Sequence, residues 1–461
     1  MGKEEKVKIS QGAAFGAGAI PNILASTILG TFLTIYLTDI AGLPAALIGT
    51  VILLLRITDG ISDFIMGYVI DHTKSRWGKA RPWLLVGALG VAVLLVLLFQ
   101  VPQNMSMGAK VVYFVIAYFS LMTVFVTISG VSMATMLPLV ESDRKKRNIL
   151  GAAEMAGTMI GGILATTVTS VLLKQFGYTQ EGYRNTMLVY AAVILLTGGY
   201  SFWKLKERTE NHDNCEAESK LQAKMSVKDA FVGLSKNKYF FFATGAGLMV
   251  NLRNGIISGI GIYFCRDVLG DIDVFTFMTL VMLLPVILAL PIAVSLCNKY
   301  GKYKTLCVGS CFTVVGSVVV LVSVYIPRPS AALLLIGMGI CGVAGSAFSA
   351  CFQSLLAEVC DYGEWKTGMK MEGIIFSSTS IGNKAGAGLG SAILGWLLAF
   401  AAYDGQLVAQ SAHTIAVEKA AMAFSPLVCN LLILLCLSLC NLDKIMPEIQ
   451  KTLRKEKNDR S

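Results

Sequence analysis

Hydrophobic stretches of about 20 residues, the length a helix needs to cross a hydrocarbon core of roughly 30 Å, recur along this chain from residue 12 to residue 440. Nothing else in the sequence narrows the fold as much, because backbone polar groups in lipid must be satisfied within the protein, and continuous apolar runs of this length do so as helices. Twelve are discernible, at 12–37, 44–70, 82–101, 111–138, 148–173, 185–203, 239–264, 275–297, 304–326, 331–358, 370–402 and 417–440. Composition agrees: 55% of residues are apolar and only 15% charged, far from a soluble domain.

The few charges report orientation. Lys and Arg crowd the N-terminus (Lys3, Lys6, Lys8), KSRWGKAR at 74–81, DRKKR at 143–147, YGKYK at 300–304 and the C-terminal tail, whereas Lys110, Arg266 and Arg328 stand in the alternate loops. The positive-inside rule then puts both termini in the cytoplasm of a multi-pass protein of the inner (plasma) membrane. The net charge of +10 is accounted for by loops facing an anionic leaflet, so the bilayer, and no nucleic acid, is the expected macroscopic partner. The first apolar run lacks a small-residue cleavage site and is expected to remain as a helix. The 11 cysteines all lie at or after Cys215 without paired spacing, and with only three histidines they indicate neither a disulfide framework nor a zinc site.

The spans fall into two sets of six: an N-terminal bundle over 1–203, a charged connector over 204–237, a C-terminal bundle over 238–443 and a tail over 444–461. SRWGKARPW (75–83), after the second span, is echoed by NKYGKYKTL (298–306), after the eighth; ESDRKKR (141–147) corresponds to the expected loop CDYGEWKTGMK (360–370). Repeats of this kind mark transporters. The expected fold is therefore an all-α membrane protein with twelve transmembrane helices in two pseudo-symmetric six-helix bundles, the major facilitator architecture. GMGICG (337–342) satisfies a dinucleotide-binding pattern in letters only, since it lies in an apolar span with no strand before it. Like Gly386, Gly388 and Gly390, these glycines are read as helix-packing residues.

Ionisable residues inside apolar spans are where function is expected, since each charge costs roughly 2.5–3.5 kcal/mol at a bilayer centre. RITDGISDF (56–64) carries three. Asp59 and Asp63, four residues apart, share a helix face, with Arg56 a turn earlier. Two carboxylates this close resist joint ionisation and gain by sharing a cation or holding a proton; their hard oxygens suit a small cation such as Na⁺. A salt bridge to another helix is the structural alternative. Lys384, near the middle of the eleventh span, is the natural counter-charge. Arg253, near the middle of the seventh, could contact an anionic group on a substrate or pair with a carboxylate. Glu154 reads as interfacial, and Glu358 as part of a loop network.

RITDGISDFIMGYVIDHTKSRWGKARPW (56–83) and DYGEWKTGMKMEGIIFSSTSIGNKAG (361–386) resemble the second-helix and tenth-to-eleventh-helix motifs of the glycoside–pentoside–hexuronide:cation symporters, which include melibiose and glucuronide carriers. The resemblance runs from YLTDIAGL (36–43) to the eleventh helix. It implies a coupling-cation site at Asp59 and Asp63, extended by Ser62 and by Thr127 of the fourth helix. Lys384 would link the cation and solute regions, and Asn22 would fall at or beside a sugar-contacting position; Arg56, beside the aspartates, is separately expected among the solute-contacting residues.

Departures from the family's melibiose carriers concern the solute. Gly130 and Ala134 stand where those carriers have an aspartate and a tryptophan, and Met155 replaces an arginine. The segment TISGVSMATML (127–137) is expected to line the cavity with small and thioether groups. The expected function is a secondary active symporter, not an enzyme, coupling Na⁺ or H⁺ entry to uptake of a sugar, glycoside or glucuronide, monomeric and without a cofactor beyond the cation. The alternative is a carrier of amphipathic organic anions, such as steroid or aglycone conjugates, with Arg253 holding the acid group.

Overall fold

The computed structural model describes residues 9–141, 144–207, 234–367, 372–405, 407, 409–442, 445–446, 448–449 and 452. Most of the expected connector and tail lies outside the described residues, as do Lys3, Lys6, Lys8, Asp143, Cys215 and the last three residues of CDYGEWKTGMK.

Among the described residues every regular element is helical. Eleven helices are long and apolar enough to cross a membrane: α1 (Ile9–Ile40), α2 (Ala45–Ile70), α3 (Arg81–Leu98), α4 (Met107–Leu137), α5 (Ile149–Phe176), α6 (Gln180–Lys204), α7 (Lys238–Val268), α8 (Asp273–Tyr300), α9 (Lys302–Tyr325), α10 (Ala331–Thr367) and, last in the chain, α12 (Ala412–Leu439). Between the last two lies α11 (Glu372–Phe400), whose 29 residues also suffice in length. It is less apolar because Asn383, Lys384 and a series of Gly and Ser residues interrupt it. These twelve helices form the two pseudo-symmetric bundles of a major facilitator fold.

The chain divides into two compact units, residues 1–216 with 402–409, and residues 217–401 with 410–461. The same pairing recurs in each. In the first, α1 packs on α5 and α6, α3 on α6, and α4 on α2 and α3; in the second, α7 packs on α11 and α12, α9 on α12, and α10 on α8 and α9. Adding six to each label converts one list into the other.

The repeat extends to the backbone. α1 and α7 both end in a five-residue π-helical turn, Tyr36–Ile40 and Phe264–Val268. Each is closed by a glycine in the left-handed region, Gly42 at φ 71° and Gly270 at φ 70°, where only glycine is free of steric cost. The echoed motifs after α2 and α8 likewise place Gly78 and Gly301 at positive φ. In the first unit this turn admits a distant carboxylate: Glu207 accepts from the backbone N–H groups of Lys79 (2.7 Å), Ala80 (2.8 Å) and Arg81 (2.8 Å), filling the anion-attracting start of α3.

Glycine also sets how closely the paired helices approach. A Cβ on Gly157 of α5 would lie 2.0 Å from the carbonyl oxygen of Gly16 on α1, and a Cβ on Gly386 or Gly390 of α11 would lie 2.3 or 2.5 Å from carbonyls of α7. Only hydrogen fits there, so α1–α5 and α7–α11 are held by backbone contact, as small-residue interfaces in membranes are.

Two boundaries differ from the sequence expectation. The helix α10 runs through Thr367, so CDYGEWKT is helix, not loop. Cys360, Tyr362 and Gly363 are buried there, Tyr362 packs edge-on against Tyr239, and Glu358 is tied to Lys302 at 2.6 Å. Packing thus continues the helix beyond its apolar run. At the other end, Arg144–Arg147 form the first helical turn leading into α5, not a loop.

Candidate functional site

The charges of α2 and the hydroxyls of α4 meet in the first unit. Asp59 is only 2% exposed. Its Oδ1 accepts from Thr123 Oγ1 at 2.7 Å, and its Oδ2 lies 3.5 Å from Arg56 Nη1. One helical turn on, Ser62 Oγ donates to the Asp59 carbonyl at 2.9 Å and sits 3.1 Å from Thr127 Oγ1. Thr58 Oγ1 lies 3.4 Å from Thr123 Oγ1. Asp63, on the same face of α2 as Asp59, is half-buried.

Local geometry of α4 produces this register. Phe119–Val126 is π-helical, a departure from α-helical pitch that recurs at functional sites. Thr123 lies inside that stretch and Thr127 directly after it, and both present hydroxyls to α2, to Asp59 and Ser62 respectively. Thr123 and Thr58 were absent from the sequence reading. The available signal for Thr123 was its place four residues before Thr127.

Chemically, the cluster is a set of hard oxygens: one buried carboxylate, a second on the same face, and hydroxyls from two helices. Such donors match Na⁺ by hardness and equally serve a shared proton. Among the described residues no three His, Cys, Asp or Glu side chains gather to hold a metal ion; the oxygen donors gathered here are two carboxylates and the neighbouring hydroxyls. Arg56 limits how much negative charge the pair presents, because it already faces one Asp59 oxygen.

Next to this cluster, Asn22 of α1 reaches α4. Its Nδ2 donates to the Val126 carbonyl at 3.1 Å, and a Cβ on residue 130 would come within 2.5 Å of that same nitrogen. Gly130 therefore makes room for the Asn22 amide. The structure brings these two predicted solute residues together, while Ala134, a turn further along α4, is exposed. The expectation of thioethers lining a cavity is corrected: Met133 and Met136 are 2% and 0% exposed and belong to an apolar core with Phe15 and Leu84. They lie on the face of α4 that packs on its neighbours, where a flexible thioether fills core gaps.

Arg253 and Lys384 belong to the second unit. Arg253 Nη1 donates to Asn430 Oδ1 at 2.6 Å, and its Nε and Nη2 to Asn254 Oδ1 at 3.3 and 3.1 Å. Asn430 in turn donates to Ser317 Oγ at 2.7 Å. The guanidinium thus braces α7 against α12 and α9 through neutral amides. Lys384 is half-buried on α11.

Residues 14–444 match the family described as MFS/sugar transport protein. The chain belongs to this family. As an MFS/sugar transport protein it is a multi-pass membrane transporter, not an enzyme. It is 26% identical to the inner membrane symporter YicJ of Escherichia coli K12, over 93% of this chain and 91% of that one. It is 28% identical to the isoprimeverose transporter of Lactiplantibacillus pentosus, over 94% and 88%, and 26% identical to the glucuronide carrier protein homolog of E. coli K12, over 84% and 83%. Among solved structures, a D-xylose–proton symporter superposes with a TM-score of 0.66 at 14% identity, over 92% of this chain and 96% of that one. The nucleoside transporter NupG gives 0.58 at 18% identity, over 92% and 98%. At such identities the likeness is one of fold.

Proposed function

We propose that this MFS/sugar transport protein is a cation-coupled symporter that takes up a sugar or glycoside, with Na⁺ or H⁺ held at Asp59 and Asp63. The observation that carries the reading is the buried Asp59 carboxylate, bonded to Thr123 and flanked by Asp63, Ser62 and Thr127. Its support comes also from relatives whose names describe symporters and transporters of isoprimeverose and of glucuronides. The cation stabilises the carrier state that accepts solute, the loaded carrier reorients, and both ligands leave on the other side. Coupling demands that each ligand raise affinity for the other by the same factor. We place the protein in the plasma membrane with both termini in the cytoplasm, from the distribution of Lys and Arg.

Asn22, held against α4 beside Gly130, is the solute-contacting group we assign in the first unit. The organic-anion alternative is not favoured: it requires Arg253 to offer its fork to a ligand, and that fork is engaged by Asn430 and Asn254. Counterflow in proteoliposomes tests the assignment. Preloading with isoprimeverose, xylosides or glucuronides should accelerate uptake of the labelled sugar, more strongly with Na⁺ or at low pH. Absence of counterflow with every sugar, alongside counterflow of a steroid conjugate, would remove the sugar reading.

A further inference from the structure

The second unit contains a cavity of about 810 Å³ bounded by α8, α9 and α10. α10 packs along both α8 and α9, while α8 and α9 diverge from the tight Gly301 turn and leave a groove whose floor is α10. Leu296, Val308 and Phe312 form apolar walls, and Gly339, Ala344 and Ala347 keep the floor low. At the turn end the lining changes to Tyr300 and Lys304. The wall residues are exposed (Leu296 42%, Val308 55%, Phe312 56%), so in a bilayer the groove opens toward lipid.

Dimensions and charge together specify an occupant. From Ala289 to Tyr300 the α8 wall extends about 16 Å at 1.5 Å per residue, close to the roughly 15 Å of one leaflet's hydrocarbon. Its end carries the amphipathic ring of Tyr300, over which Lys299 lies at 5.1 Å, the arrangement of a membrane–water interface. Lys302 is committed to Glu358. Lys304 is exposed and, among the described residues, enters no ion pair. Lys304 lines the same end of this acyl-length slot as Tyr300, the end that an interfacial tyrosine would set among lipid headgroups.

We propose that this groove is a binding site for one anionic phospholipid, an acyl chain lying along α10 and the phosphate bonded to Lys304. Asp59 and Asp63, the proposed cation ligands, lie in the other unit.

Native mass spectrometry of the full-length protein released from detergent, titrated with palmitoyl-oleoyl phosphatidylglycerol or phosphatidylcholine, tests it. The wild type should retain one phosphatidylglycerol in preference to phosphatidylcholine. Lys304→Gln, which alters only an exposed side chain, should weaken phosphatidylglycerol retention by about fivefold, the worth of one lysine at an anionic surface, and leave phosphatidylcholine unchanged. Folded Ala344→Phe, which fills the slot, should lose both lipids. Glycerol phosphate, the same anion without chains, should not compete. Unchanged phosphatidylglycerol retention in Lys304→Gln, retention in folded Ala344→Phe, or displacement by glycerol phosphate would overturn the proposal.

Discussion

Thr123 of α4 donates its hydroxyl proton to the buried carboxylate of Asp59 on α2 over 2.7 Å, which ties the two helices together at the proposed cation site. A hydroxyl that holds one carboxylate oxygen in place also pre-orders the other ligands. Thr123→Val removes that bond without removing bulk. We expect it to weaken activation of transport by the coupling cation by about tenfold, the worth of roughly 1.4 kcal/mol for a bond to a charged group, with Thr123→Ser near wild type. Cation titration of initial uptake rates reads this directly, and equal activation constants in all three proteins would show that Thr123 only packs.

Gly130 and Asn22 form a second pair. Because a Cβ at residue 130 would meet Asn22 Nδ2 at 2.5 Å, Gly130→Ala should push the amide off the Val126 carbonyl. Asn22→Ala removes the same bond from the other side. The two changes should therefore be non-additive: each should lower solute affinity severalfold, and the double variant should fall little below the singles. Calorimetric solute binding to the four proteins measures the coupling, and simple additivity would separate the two residues.

At the start of α3, Glu207 accepts three backbone N–H groups. Glu207→Gln keeps the shape but loses the charge that complements the helix terminus, at a cost of about 1–2 kcal/mol. The apparent Tm in detergent should drop, and the drop should shrink at high salt. A Tm unchanged at low salt would mean that the carboxylate adds nothing beyond its shape.

The α1–α5 contact offers a matched comparison on one helix. A Cβ at Gly157 would sit 2.0 Å from a backbone oxygen of α1, whereas one at Gly162 would meet nothing within 4 Å. Gly157→Ala should therefore reduce the yield of folded protein severely, and Gly162→Ala should be tolerated. Comparable monodisperse yields by size-exclusion chromatography would contradict the close approach.

What the sequence made legible follows from what lipid forbids. Asp59, Asp63 and Arg56 stood out because charge in an apolar span is costly, whereas Ser62 and Thr127 were implied by the family resemblance. Thr123 did not, since a threonine in a membrane helix is unremarked until the register of a second helix is known, and here a π-helical stretch shifts that register. Arg253 invited a ligand role because its partner Asn430 lies 177 residues away. The end of α10 was missed for the opposite reason: CDYGEWKT is polar, but buried contacts of Tyr362 and the Glu358–Lys302 pair hold it helical. The six-helix repeat, by contrast, is visible in two pairs of short polar motifs and returns in the structure as matched turns at Gly42 and Gly270.

The proposed mechanism has Asp59 and Asp63 hold the coupling cation. Its most direct measurement is uphill accumulation of a transported sugar in proteoliposomes under an imposed Na⁺ or proton gradient, beside equilibrium exchange of the same sugar, for wild type, Asp59→Asn and Asp63→Asn at equal protein. Both variants should lose gradient-driven accumulation while keeping exchange, because reorientation does not need the gradient. Accumulation at the wild-type level in both would place the coupling cation elsewhere.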